Sequence, residues 1–547
     1  MKYIILLLVL CFFPIFIFSQ ILESEINHDR IIFPRMDTQN RDLLINPQQG
    51  QCIFNTDSEK IECYSLSYQW ISVNSTLSDI DNDTRIFVEK NIDSDIIQFD
   101  AAGTEIYRFG RTVTGDSYFQ PRLENDFGAK HNLILGINAG QVTNTGDQNI
   151  FIGNESGMSN TIGEENTFLG TFAGKNNIDG SENVFVGNSA GFMNSSGEEN
   201  TFLGYHSGFK NTTGYANVFL GDLAGYDNTT GRQNVYIGSA SGGESNAGNN
   251  NTFLGFNSGE VNMTSFNTFI GALSGLSNNN GGKNTFVGAS SGISNTTGDS
   301  NTFVGFESGK DGSSGEENTF VGYQSGLSNQ TNQNTFIGAL AGKLNTNGSS
   351  NTFIGYESGA DNDSGSQNTF VGSGSGENIG TGNHNTFLGN LSGHDSDASH
   401  NTFIGSEAGK RNTTGTHNTT LGYNAGNMND SGTDNVFLGS GAGNNSTSSQ
   451  SIFIGKNTGI DEFTFGALII EGVDPTDPLI EGNFYGKTLD VNGILKVEDL
   501  LQIIPRSTVP TCTPTENLGG IYFNDPNQKL MLCILNSLGQ GQWVPLN

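Results

Sequence analysis

The chain has 547 residues and a formal charge of −32, although charged residues make up only 15% of it and Gly alone contributes 75. An acidic surface of this kind repels the phosphates of nucleic acid and of anionic membranes, which argues against both as partners. The abundance of Gly, Asn, Ser and Thr fits an extracellular structural protein.

Residues 1–19 begin Met1-Lys2-Tyr3, run through an apolar stretch from Ile4 to Phe18 and end at Ser19, before Gln20. This pattern predicts a secretory signal peptide cleaved near Ser19. As a membrane span it is short and interrupted by Pro14, and the neighbours of Cys11 lack the small side chains of a lipoprotein cleavage site. No other stretch is apolar enough to span a bilayer. The mature chain is therefore expected outside the cell, secreted or at the cell surface, without direct membrane insertion.

Residues 20–80 read as a small β-hairpin module. Cys52 and Cys63 flank a segment whose turn falls near Asp57, and Tyr64, Tyr68 and Trp70 are candidate ligand contacts at a tip. Once the signal is removed four cysteines remain, Cys52, Cys63, Cys512 and Cys533, two near each end. The exported context favours one disulfide per end. Zinc is the competing use, for which two distant pairs without a histidine pattern make a poor ligand set. Residues 81–131 connect this module to the next, with strand-like alternation over residues 85–89 and 95–100.

From 132 to 459 the chain repeats a unit close to Asn-Thr-Phe-Leu-Gly-x-x-Ser-Gly followed by a polar turn, twenty times, starting at 132, 149, 166, 183, 200, 217, 234, 251, 267, 284, 301, 318, 334, 351, 368, 385, 401, 418, 435 and 451. Such a period predicts a β-solenoid with stacked coils. Two glycines recur in every coil, as Gly170 and Gly174 do, where backbones approach closely. A further Gly at the fifteenth position, such as Gly163 or Gly298, is absent from the four coils of 16 residues. Its loss with a shortened turn predicts that it adopts a left-handed conformation there.

Alternation with period two puts Thr167 and Leu169 on one face of the strand and Asn166, Phe168 and Gly170 on the other. The β-branched and aliphatic residues of the first face suit a coil interior. The phenylalanines then form an outward stripe, Phe151, Phe168, Phe185, Phe202, Phe219, Phe253, Phe269, Phe286, Phe303, Phe320, Phe336, Phe353, Phe370, Phe387, Phe403, Phe437 and Phe453. An exposed apolar stripe of that size marks an interface, so these residues are expected at the centre of a parallel homo-oligomer. The alternative is a wider monomeric solenoid with Phe inside and Thr outside.

The repeat resembles the head of trimeric autotransporter adhesins, the YadA-like left-handed parallel β-roll, in the longer-repeat form of Bacteroidetes-type secreted and tail-fibre-like proteins. The resemblance covers residues 132–459. It implies an all-β left-handed β-roll of about twenty coils, three rolls around a threefold axis, residues such as Thr302 and Val304 filling each roll, and Phe303 with its equivalents at the trimer centre. The family's head repeat is shorter and no long heptad stalk follows here. The C-terminus, from Gln542 to Asn547, is also not a set of barrel strands.

Residues 460–503 resemble the neck of fibre proteins in which three chains wind together, with a helix or strand expected from Ile494 to Ile503. Residues 504–547 form a second hairpin module. Phe523-Asn524, Lys529-Leu530 and Trp543-Val544 align with Phe54-Asn55, Lys60-Ile61 and Trp70-Ile71. Terminal modules of this kind close the exposed edges of a solenoid.

No catalytic constellation emerges. The histidines, His28, His131, His206, His384, His394, His400 and His417, form no pair at metal or triad spacing. The Gly-x-Ser-x-Gly strings around Ser189 and Ser290 arise from the repeat, and a nucleophile elbow needs a strand-to-helix turn. Acidic turns such as Asp361-Asn362-Asp363 and Gly163-Glu164-Glu165-Asn166 are the places a calcium ion would bind, although the repeat lacks the calcium β-roll pattern. Asn211-Thr212-Thr213 is a glycan acceptor triplet in a eukaryotic host and turn chemistry in a bacterial one.

The expected function is a non-enzymatic trimeric rod acting as a surface adhesin, with a glycan or protein receptor. The alternative is a purely structural shaft, sheath or filament component. An ice-binding face would need an outward Thr array, against the interior position expected for Thr.

Overall fold

The computed structural model describes residues 34–44, 47–48, 51–58, 60–64, 70–73, 76–78, 85–91, 94–101, 104–111, 117–121, 131–141, 145–246, 248–470, 478–498, 512, 521–524 and 529–546. The signal-peptide reading, Tyr68, and residues 471–477 and 499–503 of the expected neck lie outside them. The protein is an all-β parallel β-solenoid of about 21 turns with almost no helix, and it divides into two compact units, Met1–Asn368 and Thr369–Asn547.

The first unit begins with a four-stranded sheet. Strands Cys52–Asn55 and Lys60–Tyr64 form the expected hairpin, with Cys52 opposite Cys63 and the two sulfurs bonded. Arg35–Met36 adds in parallel, and a single helical turn, Thr38–Asp42, follows. Its start is set by Asp37, whose carboxylate accepts from the Asn40 N–H at 2.7 Å. The helix carries Arg41 onto Glu62, a carboxylate that is only 4% exposed. Arg41 donates to it at 2.6 Å, Asn55 at 2.8 Å and Ser58 at 2.9 Å.

Burial alone would raise the Glu62 pKa, but the hydrogen bonds from Asn55, Arg41 and Ser58 outweigh it and hold the carboxyl below its ordinary value. A carboxyl depressed in the folded state stabilises above its unfolded pKa, and that stability is lost as pH falls through the folded value. Glu62→Gln should therefore cost about 2 kcal/mol at neutral pH and flatten the acid limb of the module's stability curve. Amide hydrogen exchange over residues 52–64 at pH 7 and pH 3 reads both effects, and an unchanged acid limb would remove Glu62 as its cause.

A five-stranded antiparallel sheet follows, in which Arg85–Asn91 and Ser94–Ala101 are the strands expected from the alternation. Then fourteen three-residue strands, from Leu133–Leu135 to Thr352–Ile354, each pair in parallel with the next, one per coil. In the second unit the strands Thr369–Val371 to Ile452–Ile454 stack in the same way. Ala467–Ile470 adds one more parallel strand, and Ile480–Asn483 and Thr488–Val491 close the sheet in antiparallel. Residues 494–498, expected to begin a helix or strand, form neither.

The C-terminal sheet, Ile521–Asn524, Lys529–Leu535 and Gly541–Pro545, repeats the register of the N-terminal one. Asn524 faces Lys529 as Asn55 faces Lys60, and Trp543 and Trp70 each face the fourth residue after that lysine. The disulfides are not equivalent, however. Cys533 bonds to Cys512, upstream of the hairpin, whereas Cys63 bonds across it.

Within each coil the interior holds one large side chain and several small ones. Phe168 and its neighbour Phe185 stack with ring centroids 4.7 Å apart and planes 4° apart, and this spacing continues along the ladder because parallel in-register strands lie about 4.8 Å apart. Gly174 makes room for the ring: a Cβ there would lie 2.4 Å from Phe168. Ala173 or its Ser equivalents, such as Ser207, are buried beside it. At Tyr236 the ladder accepts a hydroxyl because Ser245 stands where most coils have Asn, 3.2 Å from the phenol oxygen. Burial raises that phenol to about 12. Thr420 replaces Phe once, and its buried hydroxyl has no partner.

Two asparagine ladders complete the interior. Asn166 donates to the Gly180 carbonyl at 2.9 Å while its side-chain oxygen accepts the Asn183 N–H at 3.1 Å. Asn177 donates to the Asn160 side-chain oxygen at 2.8 Å and to Gly180 at 2.9 Å. These bonds satisfy the turn carbonyls that a coil without long strands would otherwise bury unpaired.

Candidate interaction face and histidine ladder

The faces of the strand are the reverse of those expected. The phenylalanines assigned to a trimer interface, from Phe151 to Phe453, are 0–3% exposed within a single chain, so they fill the coil and present no surface to a partner. The Thr and aliphatic residues point outward, with Leu169 at 45%, Leu203 and Leu254 at 43% and Val218 at 38% exposure. Thr302 and Val304 therefore do not fill the roll. The physical reason is volume: Gly, Ala or Ser and Asn leave one slot per coil that a flat ring fills, with Ile134 and Thr420 the two non-aromatic occupants. It also removes the objection that the Thr column is interior.

This outward face has one chemical character throughout. In each of the twenty repeats its first position is Thr, Val, Ile or Leu and its second is Leu, Ile or Val, with no charge at either. The charges sit in the turns, so the net charge of −32 leaves a neutral, partly apolar strip on each stack.

The fifteenth-position glycines are not left-handed. Gly163 instead lies where a Cβ would come 2.3 Å from the Gly180 carbonyl oxygen and 2.5 Å from the Asn160 side-chain oxygen. The left-handed residue is the one before each coil's Asn, such as Glu165 at φ 56° or Ser300 at 59°. The short coils keep the same carbonyl position with another residue, as when Asn251 donates to Thr264 at 2.8 Å.

The remaining sequence candidates separate. Ser189 is 4% exposed and donates to the Asn188 side-chain oxygen at 2.9 Å; it and Ser290 sit in left-handed solenoid turns. Asn211 is an interior ladder residue, fully buried and donating to Asn194 at 2.7 Å, which closes it to a glycan in the folded coil. In the Asp361-Asn362-Asp363 turn Asn362 is likewise interior. Among the described residues no three His, Cys, Asp or Glu side chains converge on an ion position. Tyr64 is half-buried at the end of its strand, opposite Trp70.

Coil stacking does bring histidines together, contrary to the expectation from local spacing. His384, His400 and His417 each precede a coil's Asn, and their rings stack at 5.0 and 4.9 Å. Their separations of 16 and 17 residues are coil lengths, the spacing that matters in a solenoid. His394 lies between Glu377 at 3.1 Å and Asp395 at 2.7 Å, while His206 stacks on Tyr205, where burial lowers its pKa. A further row missed in the variable positions is Phe192, Phe209 and Tyr226, stacked at 4.9 and 5.1 Å, with the Lys210 ammonium over Tyr226.

The two disulfides fit an oxidising, extracellular environment, and among the described residues no helix is long and apolar enough to cross a membrane. No protein-family model, curated protein or solved structure matches this chain.

Proposed function

We propose that this chain is a non-enzymatic extracellular adhesin whose solenoid acts as a stiff shaft and whose stapled β modules carry the contacts to a surface glycan or protein. The observation that carries this reading is the uninterrupted repeat itself: coil after coil has the same interior and the same outward face, which builds length and stiffness. The YadA-like resemblance and the disulfides support it.

The partner we assign to the outward strand face is the same face of other copies, in a parallel homotrimer with Thr and aliphatic columns toward the axis. Copies that carry −32 each repel except where no charge stands. The fourteen strands of the first unit span about 60 Å at a strip width on the order of 10 Å. That is of the order of the ~800 Å² per partner in a standard interface.

The test is the solution mass of residues 20–547 by light scattering across a concentration series, together with Leu203→Lys/Leu254→Lys. Three chain masses for the parent and one for the variant support the assembly. A monomeric parent at every concentration overturns it. The outward Thr column on a rigid sheet then favours a second reading, contact with an ordered lattice such as ice, which thermal hysteresis of the monomer would reveal. Adhesion itself is read by glycan arrays with the full mature chain, and loss of signal on reducing the disulfides would place binding in the end modules.

A further inference from the structure

We propose that the ladder of His384, His400 and His417 is a chelating site that holds one divalent transition-metal ion of the zinc, copper and nickel class between adjacent rings, two imidazoles at a time. All three side chains are exposed, and they leave the backbone at equivalent left-handed positions, with φ of 57°, 64° and 60°. The turn that carries them is held by the ladder: the His400 N–H donates to the Asn383 carbonyl at 2.9 Å. Three imidazoles are thus presented from one side of a rigid stack, one per coil, with ring planes 20° and 6° apart.

Imidazole nitrogens are favoured ligands for these metals, and neighbouring side chains on rigid elements lose little freedom when they close on an ion. A zinc–nitrogen bond of about 2.0–2.1 Å holds two ligand nitrogens no more than roughly 4.1 Å apart. The rings stand 5.0 and 4.9 Å apart, stacked rather than converging. Closing either gap needs a shift of roughly 1–1.5 Å, within the swing of exposed rings about their two side-chain torsions. His400 borders both gaps and is therefore the shared ligand. Asp434 occupies the equivalent position one coil after His417, exposed and at φ 57°, so the row continues there with a carboxylate in place of an imidazole.

The position tolerates change without cost to the fold, since other coils carry Lys283, Ser300, Glu317 and Gln333 there. His400→Gln is accordingly a clean test. Zinc chloride is titrated calorimetrically into the full mature chain, with His131→Gln as a control for a distant exposed histidine and imidazole proton signals followed by NMR. The expected result is one ion per chain, perturbation of three imidazoles, and affinity weakened roughly tenfold or more by His400→Gln but unchanged by His131→Gln. His384→Gln, which leaves the His400–His417 pair, should weaken binding less than His400→Gln. Absence of binding, or equal affinity in the parent and His400→Gln, would overturn the site and assign residual zinc to the acidic turns.

Discussion

Phe303→Ala should lower the stability of its part of the solenoid by about 3–5 kcal/mol, whereas Val304→Ala, next to it on the same strand, should cost about 1 kcal/mol or less. Phe303 is 3% exposed, and its ring lies 4.7 Å from both Phe286 and Phe320. Truncation removes a stacked ring from between two others and leaves a cavity that in-register strands cannot collapse to fill. Val304 is half-buried on the outward face and leaves no cavity. Because coils interact with neighbours only, the loss is best read locally, by amide exchange over residues 284–334 alongside urea unfolding. A larger loss for Val304→Ala than for Phe303→Ala would return the aliphatic face to the interior.

The contrast also explains which parts of this protein can be read from its sequence. The period, the strand positions and the split of Thr167 and Leu169 from Phe168 follow from alternation alone, and all are present. Alternation does not say which face is inside. β-Branched residues suit an interior in general, but here Gly174, Ala173 and Asn166 are the deciding neighbours, because their small or hydrogen-bonding side chains shape a slot for Phe168. The same local view hides the histidine ladder: His384 and His400 are distant by helical or hairpin spacing and adjacent by coil spacing. Cys52 and Cys63 were readable because a hairpin is local, and the register shared by Asn55–Lys60 and Asn524–Lys529 follows from the same short pattern. The helical turn at Thr38–Asp42 is five residues long, too short to leave an apolar period in the sequence.

Gly305→Ala should disrupt the stack at its own coil, at a cost of about 4 kcal/mol or more, since two penalties coincide. The backbone there has φ of +140°, a region essentially reserved for glycine that costs other residues about 1–3 kcal/mol. A Cβ would also meet the Gly322 carbonyl oxygen at 2.2 Å and its carbon at 2.7 Å. The chain cannot yield by moving one side chain, because both contacts are backbone and the Gly322 N–H is bonded to Val304 O at 2.8 Å. Gly298 carries only the second penalty. Its φ is not in the left-handed region, but a Cβ would lie 2.3 Å from the Gly315 oxygen and 2.4 Å from the Asn295 side-chain oxygen. Overpacking of this kind costs about 1–3 kcal/mol, and Asn, which tolerates left-handed backbone better than Ala does, should gain nothing from that tolerance. Gly298→Asn is therefore expected to be at least as damaging as Gly298→Ala when the two are compared by urea unfolding. An Asn variant close to the parent would mean that this glycine is present for its conformation, and that the asparagine ladder beside it leaves more room than the close approach of the coils allows.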